Sequence, residues 1–485
     1  MPPSKPSSFV TDVFKLVTGT TLTQVITVLA SPLLTRFYGP EAFGFFALFT
    51  SITSIFGVIA CMRYESAIML PKDDREAANL LGLSLLCVVI VSGLTVLALF
   101  LGGDALLSLI RAPTLTPYLI LIPLFVFING VFLALNSWIS RTRHFGWLSV
   151  AQVTSSLSTT GTQLGAGFAG YATGGSLLGA SLVGSVVSTG LIGGQIWWND
   201  RALMYKSISW RGMLNGLKRY KQFPLIDSGS ALLNTASWQL PTLLLAAFFS
   251  PVVVGFYALG FRVLQSPMSL IGSAIAQVSF QRAAEAHHEG FLASLAENIF
   301  EVLLKLGVFP MLLLAVIGED LFLVVFGAAW GEAGVFTQLL SIWAIFWFIS
   351  SPLSMIVDVR EKMTVGFNLS ILIFATRLLS LIIGGFMGSA VLAIALFSIS
   401  GVFVYGFACF VYLKLAGVPV LKTLRLITKN FALAVPFLIP LIGVKSFAFP
   451  AILTVLLAIV VFIAYGIFIL LTDPLLHNLI TGLKK

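Results

Sequence analysis

Long apolar segments alternate with short polar connections along almost the whole chain. About twenty apolar residues in a helix cross the hydrocarbon core of a bilayer, and we count about fourteen segments of that length. The pattern predicts an all-α, polytopic membrane protein; the last two segments are the least distinct, so twelve spans are the alternative. The segments lie at residues 13–35, 42–66, 79–102, 117–138, 147–169, 174–197, 225–248, 253–280, 297–317, 335–357, 364–385, 391–413, 430–447 and 451–472.

A twelve-residue phrase occurs twice. Residues 37–48 read FYGPEAFGFFAL and residues 248–259 read FFSPVVVGFYAL, with six identical positions and no gap. Each copy ends one span and begins the next, and six spans separate the copies, so both face the same way. Proline suits the first turn of a helix, and the glycine four residues later lets a neighbouring helix approach closely. We therefore predict two parallel repeats of six spans, related by an axis along the membrane normal.

The repeat divides the chain into four parts. Residues 1–198 are predicted to form an N-terminal lobe with the first six spans, and residues 225–413 a pseudo-symmetric C-terminal lobe with the next six. Residues 199–224 are basic and amphipathic, which predicts a cytoplasmic linker helix lying at the membrane surface. Residues 414–485 supply a basic inner loop and the last two spans.

The composition supports the membrane assignment and adds a topology. Of the 485 residues, 58% are hydrophobic and 10% are charged, a much smaller charged fraction than soluble domains carry. If the N-terminus is cytoplasmic, the outer side holds only Arg36, Arg111 and Lys445. The net charge of +9 then follows the positive-inside rule, which predicts that both termini are cytoplasmic. The inner basic residues are Lys72, Arg75, Arg141, Arg143, Arg201, Lys206, Arg211, Lys218, Arg219, Lys221, Arg360, Lys362, Lys414, Lys422, Arg425 and Lys429.

The sequence predicts no catalytic, metal-binding or cofactor-binding site. No Gly-Lys dipeptide occurs, which excludes a Walker A loop. Cys61, Cys87 and Cys409 lie within spans, and the four histidines lie outside them, so we expect no disulfide framework and no Ser–His–Asp set. Short outer loops argue against a polysaccharide polymerase or ligase. We therefore expect a protein that is not an enzyme and needs no cofactor.

Ionisable residues inside spans are costly and are functional candidates by default. Arg262 lies nine residues into span 8, Arg377 lies thirteen residues into span 11, and Arg63 is near the inner end of span 2. Polar residues accompany them and either join helices or line a wet cavity. The candidate substrate-binding residues are Arg262, Arg63, Arg377, Asn136, Asn234 and Gln24.

Two acidic residues are candidates for coupling transport to H⁺ or Na⁺. Asp227 lies near the inner end of span 7, and Glu301 lies on span 9. Glu301 also precedes Lys305 by four residues, a spacing that favours a structural ion pair. For Arg262, the alternative to a binding role is a structural ion pair with Asp227 or Glu301.

Three stretches carry a family resemblance: SPLLTRFYGPEAFGFFALFTSI, CMRYESAIMLPKDDREAANLL and GFYALGFRVLQSPMSLIGSAIAQVSFQRAAEA. They resemble bacterial polysaccharide-export flippases, the Wzx-type translocases of O-antigen for lipopolysaccharide and of exopolysaccharide. This family belongs to a larger superfamily that also holds multidrug and lipid II exporters. The resemblance covers most of spans 1 to 12.

The resemblance implies two six-helix lobes around a central cavity, in a bacterial inner-membrane protein. The implied substrate is an undecaprenyl-diphosphate-linked oligosaccharide, which moves from the inner to the outer leaflet by alternating access. Membrane lipids, a polysaccharide polymerase and a chain-length regulator are the implied partners. Related lipid II flippases use cavity arginines on spans 2 and 8, the span positions of Arg63 and Arg262. The alternative is a multidrug or small-solute antiporter of the same superfamily, although a pump for cations would place acids in its cavity.

Overall fold

The computed structural model describes residues 9–447 and 449–472, which form helices joined by short turns. No strand occurs in these residues, and the predicted all-α, polytopic fold class is confirmed. Fourteen helices of eighteen residues or more follow the fourteen apolar segments. They are α1 Phe9–Phe37, α2 Pro40–Gly57, α4 Asp74–Leu109, α5 Leu121–Arg141, α6 Phe145–Phe168, α7 Gly174–Ser207, α9 Ser228–Phe248, α10 Pro251–Glu289, α11 Leu292–Val325, α12 Gly331–Leu353, α14 Met363–Phe386, α15 Ala390–Ala416, α16 Val420–Ser446 and α17 Ala451–Thr472. The shorter α-helices are α3 Tyr64–Ala67, α8 Trp210–Arg219 and α13 Met355–Val359.

The long helices differ in how apolar they are. Within the described residues, nine are both long and apolar enough to cross a membrane. The others are α1, α2, α6, α9 and α10. Of these, α6 contains the polar stretch VTSSLSTTGTQ. Hydroxyl and amide side chains are tolerated at membrane depth where protein or water covers them.

The described helices form two compact units along the chain, the first ending at Gly255 and the second beginning at Phe256. In the first unit, α1 packs on α6, α6 on α7, and α2 on α5, α7 and α9. In the second unit, α12 packs on α11 and α15, α14 packs on α15, and the last two helices, α16 and α17, pack on α11. The division drawn from the repeat, with a C-terminal lobe beginning at residue 225, stays a prediction.

Within the first unit, the first residues of α2 and α10, at 40–44 and 251–255, approach each other closely. Pro40 and Pro251 begin α2 and α10, as the sequence predicts. A Cβ atom added to Gly44 would overlap the carbonyl oxygen of Pro251, and one added to Gly255 would overlap the carbonyl oxygen of Pro40. The contact is therefore reciprocal, and it depends on the missing side chain at both glycines.

Within the linker at residues 199–224, α7 continues to Ser207 and the short helix α8 follows. Ser209 caps its start by accepting a hydrogen bond from the Gly212 amide, an arrangement worth about 1 kcal/mol. Gly212 lies against the Asn79 side chain of α4. At the other end, Arg219 Nη1 lies 2.8 Å from Glu76 Oε1. The linker is thus fastened to α4.

The acidic stretch KDDRE at residues 72–76 makes specific contacts at the start of α4. Asp73 caps α4 by accepting a hydrogen bond from the Arg75 amide. Asp74 Oδ1 lies 2.9 Å from Arg141 Nη2 on α5. These acids therefore partner basic residues that the positive-inside pattern counted as topology signals.

Candidate functional site

The second predicted span is broken near its C-terminal end. The apolar segment 42–66 predicts one helix, but α2 ends at Gly57 and α3 begins only at Tyr64. Met62 and Arg63 have φ angles of 51° and 61°, in the left-handed region that non-glycine residues rarely occupy. Such backbone strain costs about 1–3 kcal/mol per residue and clusters at functional sites. The break therefore marks Arg63 and its neighbours as a candidate site.

Arg63 is the centre of an ion-pair cluster in the first unit. Its Nε lies 2.8 Å from Asp227 Oδ2, and its Nη1 lies 3.1 Å from Glu65 Oε1. Asp227 is the last residue of a π-helical turn, Phe223–Asp227, from which α9 starts. The Glu65 side chain is 6% exposed, whereas that of Asp227 is 42% exposed. The cluster joins the broken span to the start of α9 and brings together a predicted binding residue and a predicted coupling residue.

The other polar candidates of the first unit lie on three different helices. Gln24 on α1 and Asn136 on α5 are partly buried, and Asn234 on α9 is exposed. Asn136 Oδ1 is buried and has no hydrogen-bond partner among the described residues. The polar link between α2 and α9 is made instead by Ser51, whose hydroxyl donates to Gln239 Oε1 at 2.8 Å. Ser51 is the position that corresponds to Arg262 in the repeat.

Arg262 lies eleven residues after the start of α10, about 16 Å along the helix axis at 1.5 Å per residue. Its side chain is partly exposed. Across the part of the chain that the structure describes, no acidic side chain lies within ion-pair distance of its guanidinium. The two acids proposed as its structural partners pair elsewhere, Asp227 with Arg63 and Glu301 with Lys305. Arg262 thus keeps a charge several turns into α10 that these two acids leave uncompensated.

Arg377 lies in a different setting, buried on α14 among aromatic rings. Its Nη2 donates a hydrogen bond to the Tyr405 hydroxyl on α15, and its guanidinium carbon lies 5.9 Å from the centre of the Tyr405 ring. A cation over an aromatic face is attracted by the ring quadrupole. The Tyr405 ring is in turn 6.0 Å from that of Trp343. These contacts place Arg377 at the edge of a cluster of aromatic residues.

That cluster is a stack built from two helices. The Phe261 ring is 5.7 Å from that of Tyr257 and 5.7 Å from that of Trp347, and Trp343 is 5.1 Å from Trp347. The interplanar angles of these pairs are 20°, 19° and 3°. Tyr257 and Trp343 are buried, whereas Phe261 and Trp347 are partly exposed. The stack therefore combines two buried rings with two partly exposed ones, and one of the exposed rings, Phe261, directly precedes Arg262 in the sequence.

Glu301 is held by two lysines. Lys305 Nζ lies 2.8 Å away, which confirms the ion pair predicted from the four-residue spacing, and Lys429 Nζ on α16 lies 3.6 Å away. Glu297, one turn earlier, pairs with Lys422 at 2.7 Å. Glu301 thus belongs to a network that fastens α16 to α11, and its role in ion coupling stays a prediction.

An apolar cavity of about 360 Å³ lies in the second unit. Its lining comes from α10, α11, α12 and α17 and includes Met268, Met311, Phe348 and Phe462. Lys305 is the one charged residue among the described lining, and its ammonium is paired with Glu301. The cavity can accommodate hydrocarbon but offers little to a sugar or a phosphate.

Two groups of residues escaped the sequence analysis as site candidates. Glu65 is visible there only as a charge at the end of a span, and its burial beside Arg63 depends on the helix break. The aromatic stack has a weak sequence signal, since Tyr257 with Phe261 and Trp343 with Trp347 are each four residues apart on one helix. Which helices stack together is decided only by the tertiary structure.

Comparison with solved structures shows what the fold is similar to. A structure described as lipid II flippase MurJ in an inward closed conformation matches with a TM-score of 0.72, covering 94% of this chain and 98% of that one at 12% identity. An inward-facing multidrug resistance MATE family transporter of the MOP superfamily matches with a TM-score of 0.62, covering 81% of this chain and 95% of that one at 14% identity. At these identities, the likeness establishes the fold alone.

Sequence comparison identifies the family. Lipopolysaccharide biosynthesis protein WzxC of Escherichia coli (strain K12) is 24% identical over 167 residues, about a third of the length of either protein. The family model described as polysaccharide biosynthesis protein matches residues 33–335, more than half of this chain. The match includes the broken second span, the cluster around Arg63 and the helix that carries Arg262. The chain therefore belongs to the polysaccharide biosynthesis protein family, as the resemblance to Wzx-type flippases indicated.

Proposed function

We propose that this protein translocates an undecaprenyl-diphosphate-linked oligosaccharide from the cytoplasmic to the periplasmic leaflet by alternating access. The cargo is the repeat unit of an O-antigen or an exopolysaccharide. Family membership supports a role in polysaccharide biosynthesis, and the MurJ-like fold supports transport of a lipid-linked saccharide. Sugar hydroxyls and a diphosphate need a polar path because hydrocarbon cannot hydrogen-bond to them. We propose no enzymatic step.

The observation that carries this proposal is the state of Arg262. An intramembrane charge of this kind is costly unless water or a counter-ion compensates it. Neither Asp227 nor Glu301 does so, since each pairs with another cation. A diphosphate would complete the site, because a guanidinium makes paired, charge-assisted hydrogen bonds to phosphate oxygens. Arg262 is therefore the principal candidate for the headgroup, with Arg63 and Arg377 as further candidates.

The aromatic stack supports a saccharide as the neighbouring part of the cargo. The faces of aromatic rings carry negative charge density, which suits the weakly positive C–H faces of sugar rings. The Phe261 and Trp347 rings are partly exposed, and each stacks on a buried ring, Phe261 on Tyr257 and Trp347 on Trp343. A rigid aromatic surface of this kind binds a range of sugars with little loss of side-chain entropy.

The apolar cavity lined by α17 supports a polyprenyl tail as the other part. Burying a methylene group contributes about 0.8 kcal/mol, so a chain of isoprene units gains substantially from lining residues such as Met311 and Phe462. The last two helices would then serve the lipid rather than the sugar. Membrane lipids are the competing occupants of the same cavity.

The alternative, a multidrug or small-solute antiporter coupled to a cation, is favoured by the likeness to a MATE transporter. Proteoliposomes that contain the purified protein separate the two functions. We expect them to move a fluorescent undecaprenyl-diphosphate oligosaccharide between leaflets and to leave the distribution of a cationic dye unchanged. Dye efflux without glycolipid movement would establish the antiporter instead.

The proposed location is the bacterial inner membrane, with both termini in the cytoplasm. The terminal residue Lys485 lies outside the described residues, so the orientation is tested biochemically. Reporter fusions after Lys485 and within the linker 199–224 are expected to report cytoplasm, because the basic loops stay on the inner side. A periplasmic signal from either fusion would contradict the topology. A polysaccharide polymerase and a chain-length regulator are the proposed protein partners.

A further inference from the structure

The cluster around Arg63 contains one more carboxylate than it has cations. The guanidinium is shared between Glu65 at 3.1 Å and Asp227 at 2.8 Å. Asp227 is 42% exposed, so water can solvate its charge, whereas the Glu65 side chain is 6% exposed. Within the described residues, Glu65 Oε2 is buried and accepts no hydrogen bond. A buried carboxylate oxygen without a partner is strongly disfavoured in the ionised form.

No other described group near Glu65 supplies the missing positive charge. Besides Arg63 and Asp227, the titratable side chains near Glu65 are the thiols of Cys61 and, from α4, Cys87. The Ser66 hydroxyl and the Glu65 backbone N–H also interact with the carboxyl group, but both are neutral donors. The basic residue of α5, Arg141, is directed to Asp74 and to the carbonyl oxygen of Ile68. No group of three or more potential metal ligands occurs among the described residues. The cation that fits one orphaned oxygen is a proton.

The cluster is also placed to act on the backbone. Arg63 and Met62 are held in the left-handed region, a conformation that persists only where the surroundings over-determine it. The pair with Asp227 ties this strained turn to the π-helical turn that begins α9. Any change in the strength of that pair therefore alters the balance between the broken and a relaxed form of the inner end of span 2.

We propose that Glu65 is the proton-binding residue that couples this transporter to a proton gradient, an assignment that rests on the proposed transport function. The proton adds to the orphaned Oε2 and converts the carboxylate to the neutral acid. With Glu65 neutral, Arg63 interacts fully with Asp227 and holds the start of α9 against the break. With Glu65 ionised, the two carboxylates compete for one guanidinium, and the tether weakens. Proton occupancy thus selects between two states of the same tether.

Infrared difference spectroscopy of the purified protein tests the proton site without any transport assay. We expect a protonated carboxyl band that fades as the pH is raised, that is lost in Glu65→Gln and that is retained in the control Glu76→Gln, whose side chain pairs with Arg219 near the surface. Asp227→Asn provides a second test with Glu65 intact. It removes the competitor for Arg63, so Glu65 should ionise more readily and the band should fade at lower pH. A band that survives in Glu65→Gln, or does not move in Asp227→Asn, would overturn the proposal.

Transport in proteoliposomes tests the coupling. An imposed pH gradient is expected to accelerate glycolipid movement by the wild type and by Glu76→Gln, and the acceleration is expected to be lost in Glu65→Gln. Acceleration retained in Glu65→Gln, or driven by a sodium gradient alone, would refute the coupling role. If the wild type moves no glycolipid, the proposed function fails, whereas the infrared result on Glu65 stands independently.

Discussion

Replacing Arg262 by alanine is expected to abolish export of the lipid-linked oligosaccharide while the protein still folds and inserts. Arg262 lies eleven residues after the start of the 39-residue helix α10, and neither Asp227 nor Glu301 compensates its charge. Removing one partner of a desolvated charge pair costs about 2–5 kcal/mol, which corresponds to a loss of about thirtyfold or more in affinity for the diphosphate. The measurement is glycolipid movement in proteoliposomes, with protein amount and monodispersity determined in parallel.

Two further substitutions and a control test whether the Arg262 guanidinium acts by binding phosphate. Arg262→Lys should rescue transport only in part, because an ammonium cannot reproduce the paired contacts of the guanidinium. Arg262→Glu should be worse than alanine, because it repels phosphate. Arg360→Ala, an exposed arginine after α13, should behave as wild type. If Arg262→Ala instead lowers protein levels, and removal of an acid on another helix restores both level and export, then Arg262 is a structural ion-pair partner.

Leucine at Gly44 is expected to remove most of the folded protein or of its transport activity. Even a Cβ atom at Gly44 would overlap the Pro251 carbonyl oxygen, and backbone atoms cannot move aside as a flexible side chain can. Overpacking a tight contact costs about 1–3 kcal/mol of stability. We expect the cost of leucine to reach or exceed the upper end of that range, because its four-carbon side chain would meet backbone atoms. Thermal unfolding in detergent and transport by the surviving protein are the measurements.

The reciprocal contact supplies the matched variants. Gly255→Leu should have the same effect as Gly44→Leu, because its Cβ would meet the Pro40 carbonyl oxygen. Gly57→Ala is the control on α2, since a Cβ there meets no atom within 4 Å and alanine is the better helix former. Wild-type stability in both leucine variants would show that residues 40–44 and 251–255 do not meet at these glycines.

Hydropathy predicted most of the helices, because a segment that crosses a membrane must form all its backbone hydrogen bonds internally and present apolar side chains to lipid. Residues 391–413, for example, became α15, Ala390–Ala416. Span 2 shows the limit of this logic. Its apolar run continues through residues 58–63, but the helix does not, because Met62 and Arg63 adopt left-handed backbone angles that no composition signals.

The membrane class and the Glu301–Lys305 pair follow from the sequence alone, because they depend on local composition and spacing. The cost of charge in hydrocarbon also selects Arg262 from the sequence as a candidate site residue. Which charges meet depends instead on how the helices pack in space. Arg63 and Asp227 are 164 residues apart in the chain yet 2.8 Å apart in space, and this contact turns Glu65 from a span-end charge into a buried, partly unsatisfied acid. A buried charge is compensated only by an opposite charge close to it, and here that charge comes from a different helix. The sequence does not show which helices are neighbours.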